Sequence, residues 1–370
     1  MRVLTLEGTP YEMGLQYGAL PGPLRQFVVA RIYRRLRRLV PHPQTEAWYA
    51  EVLALLEHEA EGFLQYVQGQ TDGLGIERDV LLRFSLASYL EDRAQASAAV
   101  AEGCTAWAAR PDWTETGQPL LAKNRDQNLE QLGLQCVVRA RPTSGYPYVG
   151  VTALGWPGLA SSGLNAAGLA VADTHVPSTD LGPGLPRWWM MVCILERCRT
   201  VGEALDYLTA APRLGNGNLV LADAQGAIAV FEEGHAHFGI RTPEDEQGYL
   251  VASNHFVTDL LRNRCRLEGL GKKGDTLARK ARMEAALAEA KGVVSPSWAR
   301  VIMSSADGTG ALCWQDPERH CGTISTVIVS PATGTIWVRH GWMWHGRFRR
   351  FVMSDFQWAN GASVYQAVRV

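Results

Sequence analysis

The sequence predicts an α+β protein in which a helical N-terminal segment precedes a larger, strand-rich portion. Three observations support this prediction. Up to about residue 98, apolar side chains recur mostly at helical spacing. From residue 103 onward, short runs of β-prone residues are separated by Gly, Pro and Asn. These runs follow one another too closely for the crossover connections of a parallel sheet, which favours antiparallel hairpins.

The composition excludes several classes of protein. The chain has 370 residues, of which 46% are hydrophobic and 20% are charged, as is usual for a globular fold and unusual for a disordered one. The 36 Lys and Arg residues balance 37 Asp and Glu residues, which argues against nucleic acid as a partner. No apolar run is long enough to span a membrane, and no apolar signal core follows Met1. We therefore expect a cytoplasmic protein without a membrane partner.

The N-terminal helices are predicted from periodicity and from helix-breaking residues. A first helical stretch is interrupted at Pro21, and a second covers Leu24–Val40. A third helix opens at Thr45, and the glycine-rich stretch 69–75 is expected to break the pattern. A further helix is predicted near Arg78–Leu90.

A basic run extends from Arg31 to Arg38 within the second of these helices. Such a run can indicate an anionic partner. Acidic residues follow it closely in the next helix, so we interpret the run as a solvated helix face.

The strand-rich portion is predicted as short strands interrupted by three helices. The predicted strands are 104–109, 119–124, 135–140, 148–153, 168–174, 219–222, 228–231, 249–253, 323–329 and 335–339. The predicted helices are 188–198, 202–210 and 276–289. A turn containing Pro331 and Gly334 joins the last two strands.

The chain has seven cysteines, an odd number that argues against a disulfide framework. Their spacing fits no common zinc site, and His235 and His237 lack a third ligand in the sequence pattern. We therefore expect no metal and no cofactor. Most of the thiols are interpreted as small buried hydrophobic residues.

Cys104 differs because it lies where the helical pattern changes to the strand pattern, between Gly103 and Thr105. Attack of its thiol on the Gly103 carbonyl would give a thioester, and hydrolysis would release Cys104 as a new N-terminus. Glycine suits the position before the nucleophile because it has no Cβ. The freed amine, with a pKa of about 7.7–8.0, would pair a base with the nucleophile on one residue. The alternative interpretation is an inert cysteine at the start of a strand.

The segment Glu102–Trp107, followed by Leu120–Asp126, resembles the family of acyl-coenzyme A:6-aminopenicillanic acid acyltransferase, whose members are autoproteolytic N-terminal-nucleophile (Ntn) hydrolases. Other segments similar to the family occur in the same order: 8–14, 163–171, 218–226, 253–256 and 322–341. The resemblance implies a four-layer αββα sandwich. It also implies that residues 1–103 form an α subunit after self-cleavage and that residues 104–370 form a β subunit.

The resemblance implies the main catalytic roles. Cys104 would be the nucleophile, and Gly103 would precede the scissile bond. Asn254 would donate a hydrogen bond to the oxyanion, and Asp126 would accept one from the Cys104 amine or orient the substrate. The alternative roles are a turn cap for Asn254 and a loop cap for Asp126.

Four further residues would support the site. Thr105 would position a proton or a water during self-cleavage, unless it is an ordinary strand residue. Lys123 lies where related bile-salt and penicillin V amidases have Arg, and it would support the thiolate unless it is an exposed charge. His175 would line the pocket or lie in a loop, and His255 belongs to the Asn-His element.

Two features of the sequence concern the residues that would form the substrate pocket. Several family members carry Arg before a late strand where this chain has Arg319-His320-Cys321, so the corresponding substrate-anchoring or charge-balancing role is in doubt. The candidates for the floor of an apolar acyl pocket, which are equally suited to the protein core, are Trp107, Trp156, Trp188, Trp189, Trp342 and Trp344.

The sequence therefore predicts an enzyme that cleaves an amide C–N bond through a Cys104 thioester and passes the acyl group to water or to an amine. The expected partner is a small-molecule amide, with an acyl-coenzyme A as a candidate donor. Two other hypotheses are a non-processed small-ligand-binding protein on the same fold and a Cys/His hydrolase of the papain type that uses His255.

Overall fold

The computed structural model describes residues 1–39, 43–94, 103–244, 247–266, 275–318, 320–341, 346–355 and 365–366. The helices are α1 (Pro10–Gly18), α2 (Gly22–Leu36), α3 (Pro43–Glu59), α4 (Glu61–Leu74), α5 (Arg78–Ser85), α6 (Ala87–Arg93), α7 (Arg187–Arg197), α8 (Val201–Ala210), α9 (Asp275–Ala288) and α10 (Pro296–Ile302). The strands are β1 (Arg2–Gly8), β2 (Gly103–Ala109), β3 (Leu120–Asn128), β4 (Gln135–Pro142), β5 (Tyr148–Ala153), β6 (Ser162–Asn165), β7 (Leu169–His175), β8 (Gly217–Asp223), β9 (Ile228–Glu233), β10 (Phe238–Arg241), β11 (Tyr249–Ala252), β12 (Gln315–Asp316), β13 (Cys321–Ser330), β14 (Thr335–His340), β15 (Phe348–Val352) and β16 (Tyr365–Gln366).

The strands form two sheets that pack face to face. The nine-stranded sheet has the order β10-β9-β8-β7-β6-β5-β4-β1-β16, and the seven-stranded sheet has the order β11-β2-β3-β13-β14-β15 with β12 on β13. One apolar core lies between the sheets, a second lies under α1–α8, and a third lies under α9 and α10. The protein is thus the four-layer αββα sandwich that the sequence predicted.

Strand β2 shows why the sequence pattern of the sheets is apolar on both faces. Ala106 and Ala108 face the core between the sheets, whereas Trp107 and Ala109 face the core under α9 and α10. Successive side chains of a strand point to opposite faces, so a strand in the middle of four layers buries every residue. Burial on both faces fixes which side chains of β2 face the cleft and which face α9.

The prediction of a wholly helical N-terminal segment is wrong at residues 2–8, which form β1. This strand pairs in parallel with β4 from Arg2 opposite Cys136 to Gly8 opposite Pro142, and antiparallel with β16. Leu4 and Leu6 face the helical layer, while Val3 packs against the core between the sheets. The run is a short strand with alternating faces, and its pairing partner is far away in the sequence.

The predicted helix break over the glycine-rich stretch 69–75 is wrong for Gly69 and Gly73, which lie inside α4. The helix ends only at Gly75, which takes a left-handed conformation with φ 71°. A Cβ on Gly69 would lie 2.0 Å from the Tyr11 carbonyl oxygen, and one on Gly73 would lie 2.6 Å from the Gly18 carbonyl carbon. These glycines therefore serve close backbone packing between α1 and α4. The helix predicted near Arg78–Leu90 is two helices, α5 and α6.

Replacing Gly69 should test this packing. Gly69→Ala should lower the free energy of unfolding by about 1–3 kcal/mol, because the backbone of α1 must move away from the new methyl group. Gly62→Ala in the same helix is the matched control, since its Cβ would meet only Pro10 Cγ at 3.7 Å. The control should be neutral or stabilise by up to about 1 kcal/mol. Equal urea midpoints for the two variants would contradict close packing of α1 on α4.

Candidate active site

Cys104 is the second residue of β2, and its side chain lies against a cleft. In the pairing of β2 with β3, Cys104 lies opposite Arg125 and Gly103 lies opposite Asp126. Directly opposed residues share one face of a sheet. Cys104 and Arg125 therefore face one side of the hairpin, and Asp126 faces the other side, toward α9.

Hydrogen bonds hold the backbone of Cys104 at both its N–H and its carbonyl. The Cys104 N–H donates to Asn254 Oδ1 at 2.9 Å. Arg279 Nη1 donates to the Cys104 carbonyl at 2.5 Å and to Thr105 Oγ1 at 2.8 Å, while its Nη2 donates to Asn254 Oδ1 at 2.7 Å. We call this set of contacts the Arg279 clamp. It fixes the position of the candidate nucleophile relative to Asn254.

Arg279 was missed in the sequence because a basic residue in an amphipathic helix resembles a solvated one. Its side chain is 1% exposed. One sequence signal could have found it: the buried residues of α9 are Thr276, Arg279, Met283 and Leu287. This spacing places Arg279 on the apolar stripe of the helix, where a charge needs partners.

Asn254 follows β11 and is fully buried. Its backbone N–H donates to Thr276 Oγ1 at 2.8 Å, and its Nδ2 donates to the His175 carbonyl at 2.7 Å. A primary amide carries two N–H groups. Within the described residues, the bond to His175 therefore leaves Asn254 with a second donor that could meet an oxyanion.

Asp126 is buried directly beside Gly103. Its Oδ1 accepts from Thr323 Oγ1 at 2.7 Å, and its Oδ2 accepts from Trp314 Nε1 at 3.0 Å. Burial raises the pKa of Asp126 to about 6, against the opposing charge of Arg279. A Cβ at position 103 would lie 2.8 Å from Asp126 Oδ2, so close approach of this carboxylate explains why glycine precedes Cys104.

The thiol of Cys104 is buried in the uncut chain, and burial raises its pKa. The positive charge of Lys123 opposes this shift without cancelling it. At neutral pH the thiol therefore carries its proton and needs a base to become a nucleophile.

Lys123 is 1% exposed, which excludes the interpretation as an exposed charge. Its Nζ forms an ion pair with Asp173 and donates to the Ser161 carbonyl at 3.3 Å. Asp173 also accepts from Arg187 Nη2 at 3.1 Å. Burial raises the pKa of Asp173, but the charges of Lys123 and Arg187 bring it below its usual value. Lys123 thus belongs to a buried ionic cluster behind the thiol.

The two candidate histidines lie in different environments. His175 lines the cleft, and its Nε2 lies 3.2 Å from Asp92 Oδ2. His255 Nδ1 lies 3.1 Å from Ser253 Oγ and 3.0 Å from Thr276 Oγ1. Burial, with the charge of Lys280, lowers the pKa of His255 to about 4. His255 therefore supports the Asn254 segment as a neutral ring, which does not favour a papain-like pairing with Cys104.

The tryptophans divide between cleft and core. Trp156 and Trp188 line the cleft, with ring centroids 6.0 Å apart. Trp107 lies below β2 and donates to Met303 Sδ at 3.2 Å, and Trp189 packs against Phe63. Trp107 and Trp189 therefore belong to the core. Trp342 and Trp344 lie outside the described residues.

Of the departure before β13, His320 lies on the surface. It has φ 50°, and its carbonyl accepts from the Leu129 N–H at 2.7 Å. Arg319 lies outside the described residues.

The basic run 31–38 is only partly the solvated face that the sequence suggested. Arg34, Arg37 and Arg38 are exposed, but Arg31 and Arg35 are half-buried and line the cleft beside Cys104. The packing of α2 over the cleft determines which of these arginines are buried. The acidic residues of α3, from which the sequence interpretation was made, give no indication of that packing.

The described part of the chain shows neither a metal-binding cluster nor a membrane-spanning helix. No group of three or more His, Cys, Asp or Glu side chains there is placed to hold a metal ion. Nor does it include a helix of sufficient length and apolarity to cross a membrane.

Comparison with known proteins places the chain in a family. The family model described as acyl-coenzyme A:6-aminopenicillanic acid acyl-transferase matches residues 113–342, a range that includes Asp126 and Asn254 and begins after Cys104. An uncharacterized protein from Archaeoglobus fulgidus is 24% identical over 312 residues, which cover 69% of this chain and 50% of that protein. The chain thus spans about half the length of that curated relative.

One solved structure supports the fold, and a second aligns more weakly. A mutant of the conjugated bile acid hydrolase from Clostridium perfringens aligns with a TM-score of 0.50 and 13% identity, over 68% of this chain and 93% of that one. A penicillin V acylase from Agrobacterium tumefaciens aligns with a TM-score of 0.42 and 16% identity, over 68% and 87% of the two chains. Because the family model matches more than half of its residues, the chain belongs to the acyl-coenzyme A:6-aminopenicillanic acid acyl-transferase family.

Proposed function

We propose that this chain is a self-cleaving Ntn hydrolase that breaks an amide C–N bond through a Cys104 thioester. The acyl group then passes to water or to an amine. The observation that supports this most is the Arg279 clamp, which holds a cleft-lining cysteine beside Asn254 and Asp126. The substrates would be small N-acyl or peptide-like amides, and an acyl-coenzyme A is a candidate acyl donor.

Self-cleavage is the first step of the proposal. Cys104 Sγ attacks the Gly103 carbonyl carbon, the thiol proton moves to the Cys104 nitrogen, and the C–N bond breaks to leave a thioester. Water then hydrolyses the thioester to a Gly103 carboxylate and a free Cys104 thiol and amine. Because position 103 carries no Cβ, the carbonyl can turn toward the thiol without meeting Asp126.

The two products would stay together as a heterodimer. Strand β1 lies within the nine-stranded sheet between β4 and β16, and α1–α6 share a core with that sheet. Residues 1–103 would thus remain part of one folded unit after the cut.

The released amine supplies the base that the buried thiol lacks. It removes the thiol proton, and the thiolate attacks the substrate carbonyl. The second N–H of Asn254 would donate to the oxyanion, and Asp126 would hold the amine on the opposite face of the hairpin. The amine returns its proton to the leaving nitrogen, and the resulting thioester is resolved by water or an acceptor amine.

Intact mass and N-terminal sequencing test the proposal directly. The wild-type protein should give two fragments, and the larger should begin Cys-Thr-Ala. Cys104→Ala should remain one species of 40.6 kDa. Cys265→Ala is the control, because the half-buried thiol of Cys265 donates to the Arg262 carbonyl. This variant should cleave itself normally. A wild-type protein that stays whole and hydrolyses no acyl amide would favour the non-processed ligand-binding hypothesis.

Removal of the Arg279 clamp should slow self-cleavage. Arg279→Met leaves the Cys104 carbonyl and Asn254 Oδ1 without this donor, and we expect self-cleavage to be slower by about 100-fold or more. Arg282→Met is the matched control on α9, because Arg282 contacts Asp307, a residue distant from the proposed chemistry. The rates are read by mass spectrometry after expression at low temperature. Equal rates in the two variants would count against a role for the clamp.

His255→Gln separates the proposal from a papain-like mechanism. The variant should still self-cleave and hydrolyse amides at pH 7, whereas a Cys/His mechanism requires the imidazole. The folded pKa of about 4 lies below the unfolded value of about 6.5, so the unfolded chain binds the proton more tightly. Wild-type stability should therefore fall by up to about 3 kcal/mol between pH 6.5 and pH 4 through this group. Urea titrations across that range should show a smaller loss for His255→Gln.

A further inference from the structure

The cleft beside Cys104 carries an excess of positive charge. Asp173 pairs with two of its cationic side chains, and Glu91 accepts two hydrogen bonds from a third. Two guanidinium groups remain, those of Arg31 and Arg125. The cationic residues that line the cleft are Arg31, Arg35, Lys123, Arg125 and Arg187.

Arg125 is the cleft cation that lies in register with the candidate nucleophile. It lies directly opposite Cys104 in the β2–β3 pair, on the same face. Its side chain is 94% buried, at 6% exposure, and its Nη1 atom has no hydrogen-bond partner. An unpaired buried donor on a charged group is strongly unfavourable, so its persistence beside a cleft points to a ligand that satisfies it.

Arg31 reaches the same cleft from α2. Burial, together with the nearby charge of Arg125, lowers its pKa to about 10. Glu130 opposes these effects, but Glu130 forms its ion pair with Arg34 at 3.6 Å. Over the described ranges of the chain, Arg31 makes no hydrogen bond or ion pair of its own. Two guanidinium groups thus line one cleft, and among the described residues neither forms an ion pair with a carboxylate.

The aromatic wall of the cleft also presents unused donors. The buried Nε1 atoms of Trp156 and Trp188 have no hydrogen-bond partner. Phe84 packs on Trp156 with a centroid distance of 5.5 Å. A ligand with an apolar body would pack against these rings.

We propose that Arg31 and Arg125 form an anion-binding site, separate from the oxyanion contact of Asn254. This site would hold a carboxylate, or a similar anionic group, of the amide attacked by Cys104. That the ligand is a substrate rests on the proposed function. The substrate class is an N-acyl amide with an apolar body and an anionic group near the scissile bond. Since Arg31 precedes Gly103 and Arg125 follows Cys104, both products of self-cleavage contribute to this site.

Alkylation of Cys104 tests the site without requiring catalysis. Iodoacetate is anionic and iodoacetamide is neutral, and the ratio of their rates at one thiol cancels the fraction of thiolate. Peptide mass mapping on the full-length protein gives this ratio at Cys104, normalised to that of glutathione. We expect the wild-type ratio to exceed that of glutathione by about tenfold, as charge-assisted hydrogen bonds to the anion predict.

The variants assign the effect. Arg125→Gln and Arg31→Gln should each bring the ratio toward that of glutathione, and Arg125→Lys should keep part of it. Arg37→Gln, an exposed position just after α2, should leave it unchanged. If Arg125→Gln does not fold, the alkylation ratio of Arg31→Gln, a change on the half-buried face of α2, tests the proposal alone. A wild-type ratio equal to that of glutathione, or a high ratio that both Gln variants retain, overturns the proposal.

The same samples distinguish this proposal from the proposed function. If the protein shows the expected alkylation ratios and yet neither cleaves itself nor hydrolyses amides, that outcome supports the anion-binding site and rejects the hydrolase function. Glutaryl against valeryl p-nitroanilide, and benzoylglycine against benzoylglycinamide, then locate the anion on the acyl or the amine half. The anionic member of one pair should have the higher kcat/KM in wild type but not in Arg31→Gln. Preference for the neutral member in both pairs overturns the proposal, and the alkylation ratio decides if neither pair is hydrolysed.

Discussion

The buried guanidinium of Arg279 is the interaction on which the geometry of the site depends. It connects β2, the segment after β11 and helix α9 by donating to Cys104, Thr105 and Asn254. A charge removed from water is tolerated only when its donors are matched by acceptors. The half-exposed Asp275 supplies the compensating carboxylate at 3.1 Å from Nε. The position of the thiol therefore follows from the requirements of a charge that is itself distant from solvent.

The alternation of side chains in β2 and β3 separates two electrostatic environments. Asp126 and Arg279 lie on the face toward α9, whereas Cys104, Lys123 and Arg125 lie on the cleft face. A thiol whose pKa is raised by burial is a weak nucleophile until a base is placed beside it. In the proposed mechanism, that base exists only after the Gly103–Cys104 bond is broken. Self-cleavage would then create the catalytic base, the Cys104 amine. The uncut chain, which lacks this base, would be inactive.

The sequence predicts those parts of the structure in which the interacting residues are close together in the chain. The β2–β3 hairpin, and with it the proximity of Cys104 to Asp126, follows from two short apolar runs and the turn residues between them. Strand β1 was missed because its partner β4 lies far away in the chain, so no local pattern reports the pairing. Arg279 and Arg31 were missed as site residues for a related reason. Each lies on a helix whose charged residues look solvated until tertiary packing covers them.

The proposed cut between residues 103 and 104 would divide one folded unit. Strand β1 contributes Leu4 and Leu6 to the core under the helical layer, and its removal would leave β4 as an unpaired edge of the larger sheet. Arg31, from the same segment, reaches the cleft in front of the thiol. A segment that only covered the nucleophile before cleavage would need neither contact. In the proposed mechanism, residues 1–103 would therefore remain part of the site after the cut, with α2 forming one wall of the space in which the substrate would bind.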